Sequence, residues 1–248
     1  MKAMILAAGL GTRLRPLTDE RPKALVEVGG RTLLELTLAR LRSFGVGEVI
    51  INVHHFADMI VEYLARNGNF GMRIEISREE DLLDTGGGLR KAAHFFLENS
   101  RAAGTPFLVH NVDVISTIDL QRMLRFHIES QALATLAVQD RHASRYLLFD
   151  PELRLCGRRS GNNREDEVIR PCDKIRPLAF CGIHVISPAL LSLLKEEGAF
   201  SITDAYLGLA AQGMFITAFR ADEYSWRDVG SLANLRQAAE DSAQQAVL

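Results

Sequence analysis

The chain has little of several features that would assign it at once. Its three cysteines, Cys156, Cys172 and Cys181, are odd in number and show no CxxC spacing, which fits reduced thiols packed as small apolar side chains. No apolar run approaches the ~18 residues of a membrane span. Met1-Lys2-Ala3-Met4 enters a strand at once and leaves no room for a signal peptide, so the expected setting is the cytoplasm. Neither sign of charge prevails: 29 Lys and Arg face 31 Asp and Glu, a net charge of −2. A broad basic face for nucleic acid or a membrane surface is therefore not expected. The 248 residues, 47% of them hydrophobic, suffice for one large domain. Such a chain buries roughly 70–75% of its unfolded surface and needs no covalent staples.

The most informative stretch is Leu6-Ala7-Ala8-Gly9-Leu10-Gly11-Thr12-Arg13-Leu14-Arg15-Pro16-Leu17-Thr18, closed by Pro22-Lys23. It joins an apolar strand to a glycine-rich turn and three cations. Gly9 and Gly11 can take positive φ and let backbone N–H groups converge on an anion, and Arg13, Arg15 and Lys23 add positive charge. Two familiar glycine loops fail here. A dinucleotide fingerprint wants glycine where Leu14 stands and an acidic residue after the second strand, but Glu48-Val49-Ile50-Ile51-Asn52-Val53 runs into His54-His55-Phe56. A P-loop wants Gly-Lys-Ser/Thr, and the chain has Gly11-Thr12-Arg13.

The periodicity beyond the loop alternates strands with helices. Thr32 and Glu35 form a capping box for a helix ending at Gly45. Strand 48–53, helix 57–66, strand 72–77, helix 87–97, strand 107–110, helix 119–129 and strand 134–138 follow. This order predicts an α/β fold with a doubly wound, mostly parallel sheet. Past residue 140 the texture changes. Tyr146-Leu147-Leu148-Phe149 and Leu153-Arg154-Leu155 read as short antiparallel strands around Asp150-Pro151, and 157–178 as a loop or small hairpin over the site. Strand 179–186, a helix begun by Ser187-Pro188, a helix opened by Ser201 and Asp204, strand 215–219 and a helix from Ser231 complete the chain. The acidic run Glu79-Glu80-Asp81 reads as a solvated loop, and the seven histidines, without metal-ligand spacing, as structural.

The opening loop with Pro22-Lys23-Ala24-Leu25 resembles the signature of the sugar-1-phosphate nucleotidyltransferases, a GxGTRLxPLT loop followed by a PK(A/P)L segment, and the likeness runs to the end of the chain. It implies a Rossmann-like nucleotidyltransferase fold in a single domain, 1–248, with a nucleotide-binding half over 1–140 and a sugar-binding half with a small antiparallel subregion over 141–248. The implied partners are a nucleoside triphosphate and a sugar 1-phosphate, with Mg²⁺ as cofactor. Arg13 and Lys23 match the catalytic cations. Ala8, Gly9, Gly11, Thr12 and Arg13, with Thr85, Gly86 and Gly87, match the nucleotide-binding segments. Asp113, after the apolar strand Phe107-Leu108-Val109-His110, and Asp228, in Trp226-Arg227-Asp228-Val229-Gly230, match the metal ligands, although Val112 stands where many relatives have glycine. Lys174, Cys181 and Gly182 fall on the sugar-binding segments, with Ile175 replacing the proline of a Glu-Lys-Pro motif and Cys181 a hydroxyl residue.

No general base is expected, because the second pKa of a phosphate monoester is about 6 and the acceptor is already largely a dianion at pH 7. The chain shows no hexapeptide repeats, so the acyltransferase β-helix of bifunctional relatives is not expected. Short relatives include N-acetylmuramate 1-phosphate uridylyltransferases and mannose- or heptose-1-phosphate guanylyltransferases, and the sequence does not choose between bases, sugars or oligomeric states. Two rivals stay open. A phosphocholine cytidylyltransferase would need an aromatic cage, for which one Trp and four Tyr are meagre. A non-catalytic nucleotide-binding module would not need both metal ligands.

Overall fold

The computed structural model describes residues 1–97, 104–160 and 165–245. In chain order the elements are β1 (Lys2–Leu6), β2 (Glu27–Val28), β3 (Arg31–Thr32), α1 (Leu33–Ser43), β4 (Glu48–Val53), α2 (Ala57–Arg66), β5 (Arg73–Arg78), α3 (Asp84–Lys91), α4 (Ala93–Leu97), β6 (Phe107–Asn111), β7 (Val114–Ser116) and α5 (Leu120–Ser130). Then come β8 (Ala134–Gln139), β9 (Arg145–Phe149), β10 (Leu155–Ser160), β11 (Glu165–Val168), β12 (Arg176–Ile186), α6 (Ile202–Ala211), β13 (Ile216–Arg220), β14 (Trp226–Asp228) and α7 (Leu232–Gln245).

A ten-stranded mixed sheet runs in the order β11-β10-β9-β12-β6-β1-β4-β5, with β8 joined to β12 and β13. Strands β5, β4, β1, β6, β8 and β13 share one direction, as the α/β reading expects, while β12 runs against β6, β8 and β9. Alternation along β1 explains the two cores. Ala3 and Ile5 face α1 and α2 through Leu34, Leu38, Ile60 and Leu64. Met4 faces the other way, into a core shared with Phe95, Phe107 and Tyr206. Among the described residues no helix is long and apolar enough to cross a membrane.

Local signals hold in most places. Thr32 caps α1 by accepting from the Glu35 N–H at 3.1 Å, Asp119 caps α5 through Arg122 at 2.9 Å, and Ser201 caps α6 through Thr203 at 3.2 Å. Others shift. The helix expected at 87–97 starts earlier, at Asp84, and divides at Ala92 into α3 and α4. The segment after Ser187 is a 3₁₀ turn, Pro188–Leu193, rather than an α-helix. Of 157–178, residues 157–160 and 165–168 pair as β10 and β11, 176–178 already belong to β12, and 161–164 lie outside the described residues. Leu153 has φ of 62° and turns the chain, so the second strand starts only at Leu155.

The cysteines are free thiols. Cys156 and Cys181 are buried, which pushes both thiols up to about 12, whereas Cys172 is half-buried with its Sγ 3.1 Å from that of Cys156.

Buried histidines carry a pH signature. His110 and His184 are 1% exposed, and desolvation pushes their pKa values down to about 4 and about 3. As pH falls below the ordinary value of 6.5, the unfolded chain takes up protons that the folded chain does not bind. Stability present above pH 6.5 is therefore lost on acidification toward pH 4. Thermal melts across this window should show Tm falling with pH, and His184→Gln should flatten the slope.

Candidate active site

The site opens at the carboxyl ends of β1 and β6, where an α/β sheet places its ligands. The β1 loop bears out the sequence reading at Gly11 but not at Gly9, which is not among the positive-φ glycines and where a Cβ would meet nothing within 4 Å. Gly11 has φ of 66°, and a Cβ there would lie 2.9 Å from Thr18 Cγ2, so both its conformation and its packing require glycine. The Thr18 hydroxyl donates to the Gly11 carbonyl at 2.9 Å and the Leu14 N–H donates to the same oxygen at 2.8 Å, closing the turn. Ala8 is buried beneath the loop, whereas Thr12 and Arg13 are exposed. Arg15 pairs with Asp19 at 3.3 Å and does not line the cleft.

Lys23 reaches across the loop and donates to Asp113 Oδ2, with the two side chains only 13% and 16% exposed. Asp228 arrives on β14, which pairs antiparallel with β7 so that Asp228 lies opposite Val114 and the Val229 N–H donates to the Asp113 carbonyl at 2.8 Å. The two predicted metal ligands thus meet. A Cβ on Gly230 would sit 2.6 Å from Asp228 Oδ1, 2.8 Å from Arg13 Nη2 and 3.1 Å from Asp113 Oδ2, so three charged groups face one small space that only glycine leaves clear. Arg13 lies 3.8 Å from Asp228, and the Gly230 N–H donates to Asp228 Oδ1 at 2.6 Å. Among the described residues no cluster of three or more His, Cys, Asp or Glu could hold a metal. A cation here would rest on two carboxylates and on oxygens brought by its ligand, the mode Mg²⁺ favours.

Beside this centre, one lobe of about 460 Å³ is lined by Ala8, Gly9, Lys23, Thr85 and Asp113. A larger cleft of about 890 Å³ lies between the β9/β10 strands and the start of α6, with Arg13 and Asp228 at its edge. Asn111 lines both, and also a smaller lobe holding Asp113, Arg141, Arg145 and Asp228. It escaped sequence reading because a lone Asn before Val112-Asp113 carries no pattern.

The glycine segment 85–88 departs from expectation in detail. Gly86 and Gly87 are buried, and a Cβ on them would lie 2.3 Å from the Phe200 ring and 2.4 Å from the Gly198 carbonyl. The space left by their missing side chains is filled by the chain itself, and it is Asp84 and Thr85 that line the cleft. Cys181 is fully buried and offers its carbonyl, which accepts from Trp226 Nε1 at 2.7 Å. Gly182, φ 70°, makes room for Asn111, whose Nδ2 would be 2.7 Å from a Cβ there. Lys174 is exposed and lines none of these lobes.

The acidic run was misjudged at its first member. Glu79 is 4% exposed, accepting from Asn52 Nδ2 at 2.8 Å and from the Leu83 N–H at 3.0 Å, while Asn52 Oδ1 accepts from the Ala7 N–H at 2.8 Å. This buried relay ties the start of the β1 loop to the start of α3. Asn52→Ala leaves the Ala7 N–H and a Glu79 oxygen without partners, costing about 1–3 kcal/mol. A Tm lower by roughly 2–10 °C in a thermal melt is the expected outcome.

The chain is also similar to known proteins along most of its length. Residues 2–169 match the nucleotidyl transferase family. The N-acetylmuramate alpha-1-phosphate uridylyltransferase of Caulobacter vibrioides is 34% identical over 92% of this chain and 91% of its own. The mannose-1-phosphate guanyltransferase of Yarrowia lipolytica is 28% identical over 93% of this chain, which spans 61% of that longer protein. A UDP-glucose pyrophosphorylase solved with UDP-glucose shares the fold at a TM-score of 0.78 and 17% identity, covering 98% of both chains. The chain belongs to the nucleotidyl transferase family and is an enzyme of that class.

Proposed function

We propose that the protein is a Mg²⁺-dependent uridylyltransferase that joins UTP to N-acetylmuramate α-1-phosphate, releasing pyrophosphate. The two-way, full-length match to a relative named for that reaction supports the base and the sugar, since the guanyltransferase relative extends well beyond this chain. The observation that carries the chemistry is the meeting of Asp113, Asp228 and Arg13 over Gly230, with Lys23 on Asp113.

An oxygen of the sugar phosphate attacks the α-phosphorus as the bond to the β-phosphate oxygen breaks, and pyrophosphate leaves with the electron pair. Negative charge crowds the reacting centre throughout, so neutralisation and alignment dominate. Bound Mg²⁺ would neutralise phosphate oxygens from both substrates, held by Asp113 and Asp228. Lys23, anchored by Asp113, presents its ammonium to the α-phosphate. Arg13 has a side chain 67% exposed and is free to lie over the β and γ phosphates. The glycine turn supplies backbone N–H groups along the triphosphate, and the large cleft seats the sugar. No side chain need remove a proton from the dianionic acceptor.

Pyrophosphate release across a panel of triphosphates and acceptors decides the reading. Turnover with UTP and N-acetylmuramate α-1-phosphate is expected. Turnover with phosphocholine alone, or binding without turnover, would replace it.

The metal assignment is tested separately. Gly230→Ala crowds both carboxylates and should lower kcat/KM by about 10²-fold with an unchanged far-ultraviolet spectrum. Asp113→Asn with Asp228→Asn should abolish turnover at every concentration of added Mg²⁺; a double variant that still released pyrophosphate at the wild-type rate would refute the assignment.

A further inference from the structure

Among the described residues, each cation lining the cleft has a partner, with one exception. Lys23 pairs with Asp113, and Arg13 lies 3.8 Å from Asp228. Arg158 bonds Glu167 at 2.6 Å and also Asp204, and Arg159 makes two bonds to Asp166 at 2.5 and 2.9 Å. Arg141 lies 3.7 Å over the Trp226 ring and donates to the Phe180 carbonyl at 3.0 Å. Arg145 has neither a carboxylate nor a carbonyl partner among the described residues, although it lines the large cleft and the small lobe beside Asp113 and Asp228.

Its placement is set by the sheet. Arg145 opens β9 opposite Ser160 of β10, on the antiparallel strands that wall the large cleft. Those strands face the first turn of α6, where Asp204 is occupied by Arg158. Lys23, Arg13 and the two aspartates serve the phosphates, so a further unneutralised guanidinium where the two lobes join has a second anion to meet.

We infer that Arg145 determines sugar specificity by binding a carboxylate on the sugar itself, distinct from its 1-phosphate. This rests on the sugar reading above: N-acetylmuramate is N-acetylglucosamine carrying a lactyl ether, and the carboxylate of that ether is the only charge separating the two sugars. A guanidinium fork matches a carboxylate in two parallel hydrogen bonds, a geometry that an ammonium cannot reproduce.

The test compares N-acetylmuramate 1-phosphate with N-acetylglucosamine 1-phosphate, using UTP and Mg²⁺, in wild type, Arg145→Gln and Arg145→Lys. The readout is the ratio of kcat/KM for the two sugars, with dissociation constants from calorimetry, so that any general loss cancels. Wild type should prefer the carboxylated sugar. Arg145→Gln should reduce that preference about 10- to 100-fold, mainly through KM, and Arg145→Lys should restore part of it. If wild type prefers the carboxylated sugar and Arg145→Gln keeps the full preference, the role of Arg145 is overturned while the sugar reading stands. Equal losses on both sugars would also overturn it, assigning Arg145 to the shared phosphate. A wild-type enzyme with no preference would sink the sugar reading, and this inference with it.

Discussion

Asp113 and Asp228 carry like charges, and the fold holds them together against their repulsion. Backbone pairing does the holding: β7 and β14 form a two-stranded ribbon whose register sets Asp228 opposite Val114, with a further bond from Val229 to the Asp113 carbonyl. Lys23 and Arg13 offset the charge from the side of the glycine loop. Gly230 then keeps the shared space clear. The loop, β7 with Asp113, and β14 with Gly230 come from three separated parts of the sequence, and none of them alone brings these charges together.

The sheet explains how the two lobes of the cleft share that centre. Of the parallel strands β5, β4, β1 and β6, β1 ends at the glycine loop and β6 at Asn111. Strand β12, reversed and eleven residues long, pairs with β6 at one end and β9 at the other, so it carries the sheet into the antiparallel wall of the large cleft. Gly182 on that strand receives Asn111, and the Cys181 carbonyl receives Trp226. The first and second halves of the chain also meet through the pairing of β8 with β12 and β13 and through a core shared by Met4, Phe95, Phe107 and Tyr206.

Much of this was legible in the sequence because the signals were local. Helix caps at Thr32 and Ser201, the glycine turn and the alternating strand pattern depend on residues a few positions apart. Resemblance supplied Asp113 and Asp228 as a pair, which no spacing rule could. What stayed hidden depends on long-range burial. Glu79 looks like any loop carboxylate until β4 places Asn52 beside it. Gly86 and Gly87 read as room for a ligand, and only the fold brings Phe200 and Gly198 into that room. Lys174 matched a motif, yet a single position in an irregular segment says nothing of which way the segment turns.

The ribbon also sets what the charge balance of the site depends on. The glycine turn, Lys23 and Asp113 belong to the first half of the chain, but Asp228 reaches them only through the pairing of β14 with β7. Where that pairing opens, Asp113 keeps Lys23 as its partner and loses the facing carboxylate. Two carboxylates around one small space thus report on a contact between strands more than a hundred residues apart.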